Sequence, residues 1–447
     1  EPTNVTLTIE KGPFIKTIFN ELEKEVPYIL VKGIRDAMAV FANFFYNKPW
    51  EDLAVIGFGG TKGKSTSTYY MKAVVDDYLA AQDKPESAVI STIDIYDGKS
   101  KVESHITTPE AVELQMHLRN ALDCNIEYAE MEISSQALKY GRVDEMQFDV
   151  SVFLNISEDH ISPIEHPDFE DYFQSKMKMF EKSKIAVVNL DADYIDQILE
   201  ASKAAGEVVT FSTKNPEADY YAYNIHKEGK DIHFSVKCEA FDEEFVLTMP
   251  GFFNVENALG VVAASVKLGI PTEYIHSGLR RARSSGRMEF YHSKDHEVMA
   301  IVDYAHNKLS FEKLFSAMKE EFPDYGLVAI FGCPGKKSLL RRKYLGTIAG
   351  QYSKMVYLVA EDPGYEPVED ISKEIAQYVE AQKCPYKMIE DRGEAIKDAI
   401  ETAEGKTLLL VTGKGAETRQ KYGCEYLDCP SDVEYVQRYL AEYDSRH

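Results

Sequence analysis

The 447-residue sequence predicts an α/β protein: a central domain with a mostly parallel sheet and a phosphate-binding loop, followed by a C-terminal Rossmann-like α/β domain. Three observations carry this. Short apolar runs of strand length alternate with amphipathic stretches from Glu51 onward. A glycine-rich turn ending in Gly63-Lys64-Ser65 lies between one such run and a helical stretch. A second strand–helix alternation begins near Glu297.

In chain order, residues 1 to about 48 are of mixed composition, carry no phosphate-binding signature and read as a separate N-terminal segment. Leu53-Ala-Val-Ile56 predicts a strand, Gly57 to Thr66 a turn, and Thr66 to Leu79 a helix. Ser87 to Ser91, Tyr128 to Ile133, Val150 to Leu154 and Ile185 to Asn189 predict further strands. Residues 218–248 alternate with a period of two around Glu228-Gly229-Lys230-Asp231, which predicts a β-hairpin. Asn254 to Leu268 has helical spacing. Val298 to Val302, Leu327 to Phe331, Met355 to Val359 and Thr407 to Val411 predict the strands of the last domain. The natural division is 1–48, 49–283 and 284–447, with the last cut near Arg283-Ser-Ser-Gly286. No internal repeat or low-complexity segment is present.

Seventy-four acids against 50 bases give a net charge of −24, which excludes broad binding to nucleic acid or anionic membrane. No apolar run approaches the roughly 18 residues of a membrane span, and the start has no basic segment followed by an apolar run, so a cytoplasmic protein without membrane insertion is expected. The six cysteines (124, 238, 333, 384, 424, 429) form no Cys-x-x-Cys pair, which disfavours zinc and fits reduced thiols. An acidic protein that binds polyphosphate needs local positive charge from a few placed Lys and Arg, helix N-termini and metal ions.

Strand, glycine-rich turn, Gly-Lys-Ser and helix make a phosphate cradle, in which backbone N–H groups approach the phosphates and the helix N-terminus adds positive potential. Gly60, Thr61, Lys62, Gly63, Lys64, Ser65 and Thr66 are the expected contacts, with Lys64 on the terminal phosphates and the Ser65 hydroxyl on Mg2+. Glu132 ends an apolar strand and is costly there unless paired or ligating, so it is a candidate Mg2+ ligand. Asp159 and His160 follow the strand Val150 to Leu154 and are placed to orient metal or phosphate. Gly286-Arg287-Met-Glu289 offers a guanidinium to phosphate, and Asp303-Tyr-Ala-His306 follows a strand and could contact ribose and phosphate. Lys176, alone in the helical stretch Asp168 to Glu181, has no role from its spacing.

Taken in order, Gly60-Thr-Lys-Gly-Lys-Ser65, Thr107-Thr108-Pro109-Glu110, Glu132-Ile-Ser-Ser135, Asn155-x-x-x-Asp159-His160, Phe253-Asn-Val-Glu-Asn257-Ala, Gly286-Arg-Met-Glu289, Asp303-Tyr-Ala-His306 and Gly413-Lys-Gly415 resemble the Mur ligase family. The resemblance runs from about residue 30 to 440. Within the family, Thr107-Thr-Pro-Glu110, Gly286-Arg-Met-Glu289 and Gly413-Lys-Gly-Ala-Glu417 resemble the MurE type, and Asp159 to Lys176 is similar to its lysine-adding form in streptococci.

The resemblance implies a soluble, monomeric enzyme of peptidoglycan precursor synthesis. It would use ATP and Mg2+ to activate the D-glutamate carboxylate of UDP-N-acetylmuramoyl-L-Ala-D-Glu as an acyl phosphate, which the amino group of L-lysine then attacks. It further implies that Lys64, Glu132 and His160 are catalytic, and that Ser65, Glu132 and His160 surround Mg2+. Lys176 falls at the family's carbamylated lysine. Asn257, Arg287, Asp303 and His306 fall at ATP positions. Thr107, Thr108, Ser134, Ser135 and Arg142 fall where the nucleotide-peptide binds, and Glu361, Asp362, Pro363, Gly413 and Glu417 where the amino acid binds.

Departures bear on specificity. Where diaminopimelate-adding members carry Asp-Asn-Pro-Arg, this chain has Glu361-Asp362-Pro363-Gly364. The guanidinium that would pair with a second carboxylate is missing, and the acids favour an ammonium side chain. L-lysine is expected, with L-ornithine second and meso-diaminopimelate disfavoured. Gly-Lys-Gly-His-Glu becomes Gly413-Lys-Gly-Ala-Glu417, Ser-Ser-His becomes Ser134-Ser135-Gln136, and Lys62 replaces Asn. The segment before residue 49 is shorter than the family's uridine-binding domain and lacks its Asp-Ser-Arg signature, so it reads as a remnant of it, either because this sequence omits part of that domain or because the protein is a truncated relative. Folylpolyglutamate synthetase is the rival enzyme, opposed by Thr107-Thr-Pro-Glu110 and by Glu361 and Asp362, which would repel a glutamate side chain. A silent nucleotide-binding subunit is the rival of another class, opposed by the retention of Lys64, Glu132, Lys176 and Arg287.

Overall fold

The computed structural model describes residues 31–104, 106–159, 161–162, 165–229, 231–336 and 339–446. The N-terminal segment expected to be a remnant domain therefore lies mostly outside the described residues, as does His160. From residue 31 the chain enters a helix, Ile34–Phe45, and then the first of two large sheets.

That sheet has eleven strands: β1 (Ala54–Gly59), β2 (Ala88–Ile90), β3 (Asp94–Tyr96), β4 (Lys101–Glu103), β5 (Tyr128–Glu132), β6 (Phe148–Phe153), β7 (Ser183–Asn189), β8 (Glu207–Ser212), β9 (Tyr220–Glu228), β10 (Asp231–Lys237) and β11 (Asp242–Leu247). Their spatial order is β11-β10-β9-β8-β7-β6-β1-β5-β2-β3-β4. From β2 through β5, β1, β6, β7 and β8 to β9 all neighbours are parallel, and antiparallel strands close both edges. Strand β1 is central and almost entirely buried, as a strand covered on both faces must be.

Helices Lys64–Ala80, Phe253–Lys267 and Thr272–Arg281 cover one face over Ile56, Phe58, Val152 and Phe211. Gly278 lets two of them touch, because a Cβ there would stand 2.4 Å from the Val74 Cα. Helices Ala111–Asp123 and Phe169–Glu181 cover the other face over Val55, Met131, Phe148 and Phe153.

The second sheet has the order β12-β13-β17-β14-β15-β16, with β12 Glu289–His292, β13 Val298–Asp303, β14 Gly326–Phe331, β15 Met355–Leu358, β16 Tyr386–Met388 and β17 Thr407–Thr412. Only β12 is antiparallel, through its pairing with β13. The apolar cluster under the first sheet continues through Met299, Ile301, Phe311 and Phe331 into the second.

The hairpin expected around Glu228 to Asp231 is present as β9 and β10, and it is built into the sheet, since β9 also pairs in parallel with β8 and β11 adds a third strand. The short pair β18 (Arg419–Tyr422) and β19 (Glu425–Asp428) gave no periodic signal, since β19 is exposed on both faces.

Candidate active site

The carboxyl ends of β1, β5 and β6 meet at one point, where a parallel sheet collects its ligands. Gly60 (φ +136°) and Gly63 (φ +85°) turn the chain from β1 into the helix that starts at Lys64. A Cβ on Gly63 would also fall 2.2 Å from Asn257 Oδ1, so both backbone and space require glycine. Asn155, just past β6, holds the loop from behind. Its Oδ1 accepts from Lys62 N (2.9 Å), its carbonyl from Thr61 N (3.0 Å), and its Nδ2 donates to the Lys62 carbonyl (3.0 Å). The first N–H groups of that helix have no intrahelical acceptor, and Lys64, Ser65 and Thr66 line the cavity in front of the loop.

That cavity, of about 250 Å³, is shared between the two sheets. From the first come Thr61 to Thr66, Thr92, Thr107, Glu132, Asn155 and Asn257; from the second come Arg287, Asp303, Tyr304 and His306. The Arg287 guanidinium lies 4.3 Å over the Tyr304 ring and donates to Ser65 Oγ at 3.0 Å. Asp303 ends β13 and accepts from Met288 N (2.9 Å) and Ala305 N (2.7 Å), which fixes its carboxylate at the mouth; burial raises its pKa, with Arg287 opposing. Asn257 Nδ2 donates to Asn254 Oδ1 at 3.0 Å, while Asn254 is tied to the Pro250 carbonyl.

Glu132 is buried at the tip of β5, and its Oε1 accepts from Thr92 N at 2.8 Å. Ser65 and Glu132 present hydroxyl and carboxylate oxygens to the same cavity, the hard donor set that suits Mg2+ with water and phosphate completing its shell. These two residues fit the ion; the third expected ligand, His160, is outside the described residues.

Positive charge is concentrated here as the acidic composition required. Burial drives Lys62 down to about 8, with Asp159 opposing and Lys64, Arg341 and Arg287 adding to the fall. Burial likewise lowers Lys64, whose Nζ donates to the Gly60 and Thr61 carbonyls at 3.1 Å each. Lys176 is 2 % exposed, donates to the Gly60 carbonyl at 2.7 Å and is held well below the usual lysine range by burial, then by Lys64. Asp159 is the counter-charge: it pairs with Arg341 (2.9 Å) and Lys62 (3.4 Å) and accepts from Asn307 Nδ2. His306 donates from Nδ1 to the Tyr304 carbonyl (2.7 Å), which leaves the lone pair on Nε2. Burial, with Lys62 and Arg341, holds it neutral.

The residues expected to bind the nucleotide-peptide surround the next strand end. Thr108 Oγ1 donates to the Glu132 carbonyl (2.8 Å) and accepts from Ser134 N (3.0 Å), and Ser134 caps the helix Ser135–Lys139 through Ala137 N. Arg142 reaches the Thr108 carbonyl (3.1 Å) and Glu110 (2.7 Å), and Thr107 Oγ1 accepts from Thr92 Oγ1 at 3.2 Å. Ser135 Oγ lies 3.0 Å from His166 Nε2, and His166 Nδ1 is 2.6 Å from Asp171.

A second cavity of about 380 Å³ opens beside the first, with Tyr304 and His306 on both walls. Glu361, Asp362, Gly413 and Glu417 line it; Pro363 does not, its carbonyl instead packing against Gly335. The acids are not alone. Lys414 pairs with Asp362 (3.1 Å) and with Glu417, Asp362 also accepts from Lys421 N (2.8 Å), and Tyr304 Oη donates to Glu417 (2.7 Å). Burial raises Glu361 to about 7. The pocket wall holds four acids (Glu165, Glu361, Asp362, Glu417) against Lys336, Arg341, Lys414 and Lys421. The pocket is therefore of balanced charge and includes the Arg341 side chain, where the sequence suggested extra acids and no arginine.

Arg341, Tyr304, Asn155 and Lys414 belong to this constellation but were not singled out beforehand. Three lay inside quoted motifs; Arg341 sits in an ordinary basic run, Arg341-Arg-Lys343, with no distinguishing signal.

Residues 59–265 match the Mur ligase middle domain and residues 286–415 the Mur ligase glutamate ligase domain. The chain is 36% identical over 443 residues to a UDP-N-acetylmuramoyl-L-alanyl-D-glutamate–L-lysine ligase of Enterococcus faecalis, covering 94% of this chain and 86% of that one. It is 33% identical over 418 residues to a UDP-N-acetylmuramoyl-L-alanyl-D-glutamate–2,6-diaminopimelate ligase of Clostridioides difficile, covering 93% and 84%. Among solved structures, a Mycobacterium tuberculosis folylpolyglutamate synthase complexed with ADP superposes with a TM-score of 0.67 at 14% identity, over 89% of this chain and 95% of that one, a likeness of fold alone. The chain belongs to the Mur ligase family.

Proposed function

We propose that this Mur ligase joins L-lysine to the D-glutamate carboxylate of UDP-N-acetylmuramoyl-L-Ala-D-Glu, converting ATP to ADP and phosphate. The observation that carries the reading is the junction of two cavities: a phosphate loop facing Arg287, Asp303 and His306 from the second sheet, and beside it a pocket of paired acids and bases. The 36% identity to an L-lysine ligase supports the amino-acid assignment.

The carboxylate of the nucleotide-peptide attacks the terminal phosphorus of ATP, ADP leaves, and an acyl phosphate forms. The amine of lysine then attacks the acyl carbon, and phosphate departs as the amide closes. The chain's task is largely to position reactants and neutralise charge on the transferring phosphoryl group. Lys62, Lys64 and Arg287 supply that charge from opposite walls. Thr107, Thr108, Ser134, Ser135 and Arg142 orient the donor carboxylate. Ser65 and Glu132, with His160, would hold Mg2+, which neutralises phosphate charge when bound.

Lys176 is suited to carbamylation. Burial and the neighbouring Lys64 lower its pKa, which favours the unprotonated amine that is nucleophilic toward CO2. The product, formed with loss of one proton, is an anion beside Lys64 and Lys62, which would no longer repel it. Glu361 and Asp362 are assigned to the incoming side chain, and Gly413 and Glu417 to its backbone end.

A specific observation favours a second substrate. Lys336, Arg341 and Lys421 in the pocket wall can each meet a carboxylate, so meso-diaminopimelate is the competing amino acid. Phosphate release with ATP, UDP-N-acetylmuramoyl-dipeptide and each of L-lysine, L-ornithine and meso-diaminopimelate tests the reading. Turnover is expected with L-lysine; turnover with meso-diaminopimelate and none with L-lysine overturns the amino-acid assignment.

A further inference from the structure

Far along the first sheet from the phosphate loop, its antiparallel edge gathers two imidazoles and two carboxylates on neighbouring strands. His226 on β9 stands directly opposite His233 on β10. Glu244 on β11 is diagonal to His233 and on the same face, since His233 pairs with Val246 and Ser235 with Glu244. One nitrogen of each histidine and one Glu244 oxygen all lie within 4.8 Å of one another.

Both rings are held by their surroundings. His233 Nδ1 is 3.2 Å from Glu244 Oε2, while its Nε2 is 3.4 Å from Glu228 Oε2 at the end of β9. His226 donates from Nδ1 to the Asn224 carbonyl at 2.9 Å; a carbonyl only accepts, so Nε2 is the nitrogen left for a ligand bond. The strand is shaped for this contact. Between the pairs His226–His233 and Tyr223–Ser235, β9 advances three residues while β10 advances two, and Asn224 takes φ +50°. Such a bulge re-aims side chains, and here it turns a carbonyl toward an imidazole.

We propose that His226 Nε2, His233 Nδ1 and Glu244 form a divalent transition-metal site that takes Zn2+, distinct from the oxygen-lined nucleotide site. In ligating histidines the second ring nitrogen is typically tied to a carbonyl or carboxylate, which fixes tautomer and ring orientation. Asn224 and Glu228 supply both kinds of tie. Imidazole donors select Zn2+ and its transition-metal neighbours over Mg2+ or Ca2+. Bonds of about 2.0–2.1 Å in a tetrahedron place ligand atoms roughly 3.4 Å apart. His233 and Glu244 already stand at that spacing. No gap exceeds 4.8 Å, so a closure of at most about 1.4 Å is needed, which the exposed His226 and Glu244 side chains can supply. Water takes the fourth position, and the ion cross-links the three outermost strands.

The test uses the full chain without a histidine tag, titrated with ZnCl2 against a chromophoric zinc chelator. His226→Ala/His233→Ala serves as reference, because any Zn2+ held in the nucleotide cavity is common to both proteins and cancels. The wild type is expected to bind one more equivalent than the double variant, each single variant weakening it at least about tenfold. Zn2+ should also raise the melting midpoint of the wild type over its value in chelator, and not that of the double variant. Matching midpoints of the two proteins in chelator establish that the variant is folded. Equal zinc stoichiometry and affinity in both proteins would overturn the proposal, as would binding that His226→Ala leaves unchanged.

Discussion

Nucleotide binding should draw a proton onto the phosphate loop. Lys62 is buried beside Lys64, Arg341 and Arg287, and its pKa falls to about 8, whereas a lysine in water titrates near 10.4. At pH 8 the side chain is therefore half protonated. Phosphates seated in the loop favour the ammonium form and restore the pKa toward its ordinary value. Binding at pH 8 then takes up about half a proton, and by linkage the affinity falls roughly threefold per pH unit there, more steeply above and less below. Calorimetry of a non-hydrolysable ATP analogue with Mg2+, in two buffers of different ionisation enthalpy, reads the proton directly. In Lys62→Met the uptake should shrink by about half a proton and the pH dependence flatten. Enthalpies that agree between buffers at pH 8, or uptake unchanged in Lys62→Met, would refute the reasoning.

Four further outcomes are expected. Lys176→Ala should lose turnover and regain part of it with added short carboxylic acids, in the phosphate-release assay; no rescue counts against the carbamate. Gly63→Ala forces a left-handed Ala costing about 1–2 kcal/mol and displaces Asn257, so calorimetry should find nucleotide affinity reduced by about tenfold or more. Asp159→Ala leaves Arg341, Lys62 and Asn307 without their common carboxylate, and urea unfolding should register a loss of about 3 kcal/mol. Glu130, wholly buried in β5, is raised by burial to about 8. The folded chain thus holds a proton that the unfolded chain has released above about 4.5, and this group's contribution falls as pH rises from there through 8, by at most about 5 kcal/mol. Glu130→Gln removes that dependence, so urea midpoints should place it above the wild type at pH 9 and not at pH 5; parallel curves would refute this.

Much of the site was legible because its residues lie in short stretches with their own local signature. The glycine turn, Glu132 at a strand end and Asp303 after a strand are each readable from a few neighbours, and the structure brings all three to one cavity. Lys176 was not, although a signal existed: Tyr172, Lys176 and Phe180 recur every four residues on the buried face of one helix, placing a lysine where an apolar residue is expected. Arg341 had no such signal, since its meaning comes from Asp159, 182 residues away in the chain.

The sequence by itself determined the alternation of strands and helices, the phosphate loop and the oxygen donors around it, because backbone periodicity and turn chemistry are local. Only the tertiary structure decided the pKa shifts and pairings: Lys62, Lys176 and His306 lowered by burial, and the acids of the second pocket matched by Lys414 and its neighbours. The physical reason is that desolvation and Coulomb interaction depend on distance in space and on burial. Both are set by how the two sheets meet.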